Sequence, residues 1–151
     1  MSSASIGGFE TIALYWSLRA TALPIRGNRM TGSDKVAQNL PLNPRVFMIL
    51  LAFAEGSGYG YQVKKAVDRL SDGQVQLDVG SLYRAIAKLV DGDLIREAAD
   101  RGNPDEDDDR RRYYELTPLG RDVTAAEARR MNDLVEIARV NELLDSPGSS
   151  R

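Results

Sequence analysis

Four residues between Ser81 and Lys88 have side chains suited to contacts with a DNA duplex. Ser81, Arg84 and Lys88 share the side of one predicted helix that points away from its apolar residues, and Tyr83 lies at the flank. Arginine donates two hydrogen bonds to a guanine edge, lysine and serine donate to phosphates, and tyrosine offers a ring and a hydroxyl. An ordinary solvated helix face carries the same residue types. The neighbouring elements must therefore decide between the two interpretations.

The composition argues against catalysis. The 151 residues include no cysteine and no histidine, which removes disulfides, thiolate ligands and imidazole bases. The sequence contains no glycine-rich phosphate loop, metal-ligand cluster or nucleophile–base pair. We therefore predict that the chain is not an enzyme and has no catalytic residue, metal or cofactor.

The charge and hydropathy pattern bears on location and partners. The formal net charge is -2, which counts mildly against a nucleic-acid partner, although phosphate contacts depend on the charge of one face. The sequence shows neither an apolar run long enough to span a membrane nor a secretory signal. We expect a cytoplasmic protein with no membrane partner.

Three helices are predicted ahead of a pair of strands. The first starts at Asn43-Pro44, a capping residue followed by proline at the first helical position, and covers the apolar segment 45–53. The second covers about 60–70 with apolar residues at helical spacing. The third covers about 80–90, is capped by Asp78, and is called the reading helix below.

A β-hairpin is predicted after the reading helix. Residues 94–98 and 112–117 read as short strands around a loop, 99–111, that is rich in glycine, proline and aspartate. The loop contains an acidic run, 105–109, followed at once by three arginines. We assign these arginines to phosphate contacts and point the acidic run away from DNA; the alternative is a polar loop that neutralises its own charge. The arginines are Arg110, Arg111 and Arg112.

A long helix is predicted from Thr117-Pro118 to about Leu144. Its length of about seven turns exceeds what so small a domain covers. We expect the same helix of a second copy to cover its apolar stripe, which places two reading helices about one turn apart on a palindromic site. The alternative is a helix that folds back on its own domain. The predicted dimer contacts are Leu119, Val123, Ala126, Met131, Leu134, Ile137, Ala138 and Leu144.

These elements predict a mainly α fold with a small β-hairpin, namely a winged helix-turn-helix plus a C-terminal dimerisation helix. We divide the chain into an N-terminal extension (1–39, partly helical or disordered), the winged helix-turn-helix DNA-binding domain (40–117), the dimerisation helix (118–145) and a disordered tail (146–151). Within the extension, Thr31-Gly32-Ser33 reads as loop.

Three segments resemble motifs of the PadR family of bacterial transcriptional regulators. They are ILLAFAEGSGYGYQV, DVGSLYRAIAKLVDGDLI and DRRRYYELTPLGR, which begin at residues 49, 78 and 109. Their order and spacing make the resemblance specific, and it covers about Leu42 to Val135. It implies a winged helix-turn-helix dimer that usually represses transcription, in the short form with a single C-terminal helix.

The resemblance also implies roles for the matched residues. Ser81 to Arg84 fall on the family's reading-helix motif, Tyr61 on the start of its second helix, and Arg110 to Tyr114 on its wing motif. Asp78-Val79 departs from the common Ser/Thr-Pro pair, and the wing loop is unusually acidic. Tyr61 joins the predicted DNA contacts. Some members respond to small-molecule effectors, but nothing in this sequence identifies one.

The leading prediction is a sequence-specific DNA-binding transcriptional regulator, a repressor that binds a palindromic operator as a homodimer. Its expected partners are double-stranded DNA, a second copy of the chain and an unidentified small-molecule effector. The alternative is a winged-helix protein-interaction module without DNA binding, since fold does not fix function. The acidic wing and the net charge of -2 favour that alternative slightly.

Overall fold

The computed structural model describes residues 30–99 and 112–144, so the predicted loop arginines Arg110 and Arg111, the acidic run and the tail 146–151 lie outside the described residues. The predicted order of helices and strands is confirmed, as is the mainly α fold with a β-hairpin. Among the residues described, no helix has the length and apolar character needed to cross a bilayer. The elements are α1 (Gly32–Gln38), α2 (Pro44–Ala54), α3 (Gly60–Leu70), α4 (Val79–Asp91), β1 (Ile95–Glu97), β2 (Tyr114–Leu116) and α5 (Pro118–Val140).

Side-chain caps fix the starts of α2, α4 and α5. Asn43, Asp78 and Thr117 each accept a hydrogen bond from a backbone N–H of the first turn, at 3.0, 2.8 and 2.9 Å. Each cap satisfies one of the N–H groups that the start of a helix leaves without an intrahelical partner. The three helix starts predicted from the sequence are therefore confirmed.

The core lies where α2 meets α3, α4, the hairpin and the start of α5. Ile49, Leu50 and Phe53 of α2 are at most 1% exposed, as expected for a helix that is apolar on nearly every side. The remaining elements each contribute one apolar face, because their apolar residues recur at helical or strand spacing. The other members of the buried cluster are Val63, Val67, Leu77, Leu82, Ile86, Leu89, Leu94, Ile95, Leu116 and Val123.

The hairpin is an antiparallel pair in which Ile95 lies opposite Leu116. Both of these side chains are buried. The next pair outward is Arg96 and Glu115, whose side chains form an ion pair at 2.8 Å across the strands. Tyr113 is also buried and meets the Tyr59 ring edge to face, with centroids 5.3 Å apart. The β1–β2 hairpin is the wing of the fold, and it is thus packed on the helical core through the buried pair Ile95 and Leu116.

The predicted loop at Thr31 to Ser33 is wrong, because these residues begin α1. Thr31 accepts a hydrogen bond from the Asp34 N–H at 3.3 Å, and the Asp34 carboxylate accepts one from the Thr31 N–H at 2.9 Å. This reciprocal pair is a capping box with aspartate in place of the usual glutamate or glutamine. Val36 then packs against the core cluster, so α1 is attached to the domain.

The long helix ends earlier than predicted. Its last residue is Val140, and Glu142 adopts a φ of 58°, which is the left-handed conformation that terminates many helices. The Leu143 N–H returns to the Ala138 carbonyl at 3.0 Å. The helix therefore has 23 residues, or about six turns, and Leu144 lies beyond it.

The start of α5 lies against the backbone that follows α4. The Thr117 hydroxyl donates to the Asp93 carbonyl at 2.5 Å, and the Thr117 N–H donates to the Leu94 carbonyl at 3.1 Å. One turn further on, a Cβ at Gly120 would lie 1.8 Å from the Leu94 carbonyl oxygen. Because no side chain fits in that space, glycine at position 120 is what allows α5 to pack this closely.

Gly120→Ala should lower the free energy of unfolding by about 3 kcal/mol or more, because the colliding atom belongs to the backbone and cannot rotate away. Chemical denaturation followed by circular dichroism measures the loss. Gly32→Ala is the matched control: a Cβ there meets nothing within 4 Å, so this variant should stay within about 1 kcal/mol of the wild type. Equal midpoints for the two variants would contradict the close approach at Leu94.

Candidate nucleic-acid interface

Helix α4 separates its apolar and polar residues onto opposite sides. Leu82, Ile86 and Leu89 are buried against the core, whereas Arg84 and Lys88 are exposed. The core thus holds the inner side of the helix while the outer side stays open. An α-helix braced in this way has the width that the major groove of DNA admits.

Arg84 is oriented by a short chain of hydrogen bonds at the start of α4. The Ser81 hydroxyl donates to the Asp78 carboxylate at 2.5 Å, and the Arg84 guanidinium donates to the Ser81 oxygen at 3.1 Å. The Ser81 hydrogen bond, followed by the Ser81 backbone N–H, lowers the pKa of Asp78, so the cap stays ionised. The hydroxyl hydrogen of Ser81 is therefore already donated to Asp78. Its predicted donation to a phosphate would require this bond to break.

Tyr83 lies across the first residue of α3. A Cβ at Gly60 would be 3.0 Å from the Tyr83 hydroxyl oxygen and 3.1 Å from the adjacent ring carbon. The side chain nevertheless remains 53% exposed. Tyr83 thus contacts the start of α3 with part of its ring and keeps the rest open, on the same side as the exposed residues of α4.

Two lysines of α3 that were not predicted as DNA contacts, Lys64 and Lys65, lie beside the predicted contact Tyr61. The Lys65 ammonium is 4.8 Å from the centroid of the Tyr61 ring, which is 57% exposed. Lys64 and Lys65 line a surface groove together with Tyr61 and Asp78, the residue that begins α4. Helix periodicity alone does not reveal this placement, because it depends on the angle between α3 and α4.

The described part of the wing contributes one predicted contact. Arg112 is exposed and comes two residues before β2. The acidic run predicted to point away from DNA lies outside the described residues, as do Arg110 and Arg111.

The predicted dimer contacts on α5 divide into two groups. Val123 is 0% exposed and belongs to the chain's own core, so its prediction as a dimer contact is corrected. Leu119 packs on the core cluster but is half-buried, and its dimer contact stays a prediction. Further along, Leu134 is 46% exposed. Met131, Ile137 and Ala138 are half-buried, as is Ala126, which lines a groove beside α1.

The second group continues the side of α5 that faces the core. Val123 and Glu127 are buried, and Met131, Leu134 and Ala138 follow at steps of four, three and four residues, which keeps them on one side of a helix. Beyond Glu127 this side of α5 is apolar, and within the described part of the chain Leu134 is exposed on it.

The chain is similar in sequence to one protein family and to one curated protein. The model of the transcriptional regulator PadR-like family matches residues 49–126. Over 89 residues, 59% of the chain, the sequence is 35% identical to an uncharacterised 37.1 kDa protein in transposon TN4556 of Streptomyces fradiae, and the match spans 23% of that protein.

Two solved structures have a similar fold. A transcriptional regulator from Clostridium thermocellum is 22% identical with a TM-score of 0.52, over 77% of this chain and 100% of that chain. A PadR family transcription regulator from Clostridium difficile R20291 is 20% identical with a TM-score of 0.53, over 68% of this chain and 100% of that chain. The predicted winged helix-turn-helix class is thereby confirmed.

Gly60→Ala should collide with Tyr83 and lower the free energy of unfolding by about 1 kcal/mol, although alanine is the better helix former. In a chain that also carries Tyr83→Ala, the same glycine replacement should be neutral or stabilising. A double-mutant cycle measured by chemical denaturation reports this change of sign. Strictly additive effects of the two substitutions would contradict the contact between Tyr83 and Gly60.

Proposed function

The chain belongs to the PadR-like family of transcriptional regulators, and we propose that it is a repressor that binds a palindromic DNA operator as a homodimer. The observation that carries the proposal is the exposed Arg84 on α4, oriented by Ser81 while the other side of the helix is buried. A pre-oriented guanidinium donates two parallel hydrogen bonds to guanine in the major groove. Arg84 is therefore assigned to base recognition.

Phosphate contacts are assigned to the cationic and hydroxyl groups around α4. Lys88 lies one turn beyond Arg84, and Tyr61, Lys64 and Lys65 lie beside the first residues of α4. Lys64 and Lys65 share their groove with Asp68 and Asp78, so the phosphate contacts depend on where each cation lies and not on a net positive face. From the wing we assign Arg112, with Arg110 and Arg111 proposed from the sequence. Tyr83 adds an exposed ring edge.

The homodimer is proposed from the apolar side of α5. Met131, Leu134, Ile137 and Ala138 provide the contact surface, and the same surface on a second copy is its natural complement in a two-fold dimer. Residues 40–117 then act as the DNA-binding domain and 118–145 as the dimerisation helix. Two copies of α4 carried by such a pair match two half-sites about one turn apart.

We extend the proposal to release from the operator by a small-molecule effector, an extension that rests on the family resemblance alone. The competing function is a protein-interaction module without DNA binding, which the net charge of -2 and the acidic run 105–109 favour. Absence of any DNA retention at low salt, together with a stable protein partner, selects that alternative.

Arg84→Ala should weaken binding to the operator by about 1–3 kcal/mol, or roughly 5- to 150-fold, because a bidentate base contact is lost. The operator is first recovered from genomic DNA fragments that the wild-type protein retains, and affinities are then measured by gel shift. The circular dichroism spectrum should not change, since Arg84 is exposed.

Two other arginines supply the comparison for this test. Arg112→Ala should weaken binding to all sequences alike. It should also reduce the slope of log affinity against log salt concentration by about one, because one phosphate contact is lost. Arg69→Ala should leave binding unchanged, because Arg69 lies at the opposite end of α3 from Tyr61 and pairs with Glu55 at 3.0 Å. Wild-type affinity in Arg84→Ala would contradict the assignment of α4 as the reading helix.

A further inference from the structure

Val79 is an exposed apolar residue that the proposed function does not use. It is the first residue of the reading helix α4, and its side chain is 59% exposed. Neither packing nor helix formation calls for a valine here, because the side chain lies outside the core cluster and a β-branched residue is a weaker helix former than alanine or glutamate. A single exposed valine is ordinary on a protein surface, so only its position on the helix distinguishes it.

The polar side chains around Val79 are already engaged with one another. The Asp78 carboxylate accepts a hydrogen bond from the Ser81 N–H at 2.8 Å and another from the Ser81 hydroxyl at 2.5 Å. Gly80, between them, has no side chain. In the first turn of α4, Val79 is therefore the side chain that can meet a base edge without breaking a hydrogen bond within the protein.

Val79 shares one side of α4 with Tyr83, which lies one turn further along the helix. The Tyr83 hydroxyl lies against Gly60, and the rest of this side chain is open. The exposed parts of Val79 and Tyr83 thus lie in one row at the N-terminal end of α4. In a helix-turn-helix protein, this end of the recognition helix contacts base edges.

The apolar group that the major groove offers is the C5-methyl group of thymine. A valine side chain has no hydrogen-bond donor or acceptor. It gains from contact with that methyl group, and it would leave the polar edge of any other base without a partner. The chemistry of Val79 therefore selects thymine among the four bases.

We propose that Val79 contacts the C5-methyl group of a thymine in each half-site of the operator. This inference rests on the proposed function, in which α4 lies in the major groove and Arg84 reads a guanine. Arg84 comes five residues after Val79, a rise of about 7.5 Å along the helix, or about two base-pair steps. The thymine is therefore expected within about three base pairs of that guanine.

Deoxyuridine tests the contact, because it differs from thymidine only in lacking the methyl group. The thymines of the recovered operator are replaced by deoxyuridine one at a time, and affinities are measured by gel shift. For the wild type, one replacement within about three base pairs of the guanine should weaken binding roughly 3- to 5-fold, the effect of one buried methyl group. Replacements outside the half-sites should have no effect.

Val79→Ala should remove this sensitivity, so that thymine and deoxyuridine operators bind within about 1.5-fold of each other. Val79→Ile keeps a branched apolar side chain and should keep the discrimination. Val90→Ala is the matched control, because it makes the same replacement at an exposed valine three turns further along α4. It should retain the full effect of deoxyuridine. Circular dichroism checks that each variant is folded.

The outcomes separate this inference from the proposed function. If no single deoxyuridine weakens wild-type binding, or if Val79→Ala retains the wild-type ratio between the two operators, the role of Val79 is overturned and the proposed function stands. A general loss of affinity in Val79→Ala with that ratio unchanged would make Val79 a structural residue. Failure of the wild type to retain any DNA would overturn the proposed function, and this inference with it.

Discussion

The backbone contact between the start of α5 and the residues after α4 is the constraint on which the arrangement depends. Thr117 donates to the Asp93 carbonyl, and Gly120 approaches Leu94 so closely that a methyl group would not fit. The end of the reading helix, the base of the wing and the beginning of the long helix therefore share one short stretch of backbone. A movement of α5 relative to α4 would have to break the Thr117 hydrogen bonds and open the contact between Gly120 and Leu94.

The two proposed surfaces lie on different helices. Arg84 and Lys88 are exposed on α4, and Leu134 is exposed on the distal half of α5. The division by polarity is incomplete, because Val79 and Val90 of α4 are also exposed. Asp78 holds Arg84 in place through the Ser81 hydroxyl.

The sequence predicted the elements that depend on local rules and missed those that depend on tertiary placement. Two helix starts were predicted from Asn43-Pro44 and Thr117-Pro118, because a capping side chain acts within one turn of the helix. Both helix starts are confirmed. The helix at Thr31 was missed because its capping box uses aspartate and its seven residues are too short for a clear apolar period. The end of α5 was placed too late because Leu144 continues the apolar pattern past a left-handed residue at Glu142.

The predicted site residues were also missed or misplaced where they depend on tertiary placement. Periodicity identifies an apolar stripe on α5 but does not say whether a residue faces its own domain or another molecule, which is why Val123 was assigned to a dimer surface. The contact of Tyr83 with Gly60, and the position of Lys65 beside α4, follow from angles between helices that no single segment encodes.

Sedimentation equilibrium of the purified chain, alone and on its recovered operator duplex, tests directly whether a paired molecule presents two reading helices. We expect two chains per particle in both cases, and dissociation to single chains when Leu134 is replaced by glutamate. A single chain in solution and on the duplex, at concentrations where the operator is fully bound, would contradict it.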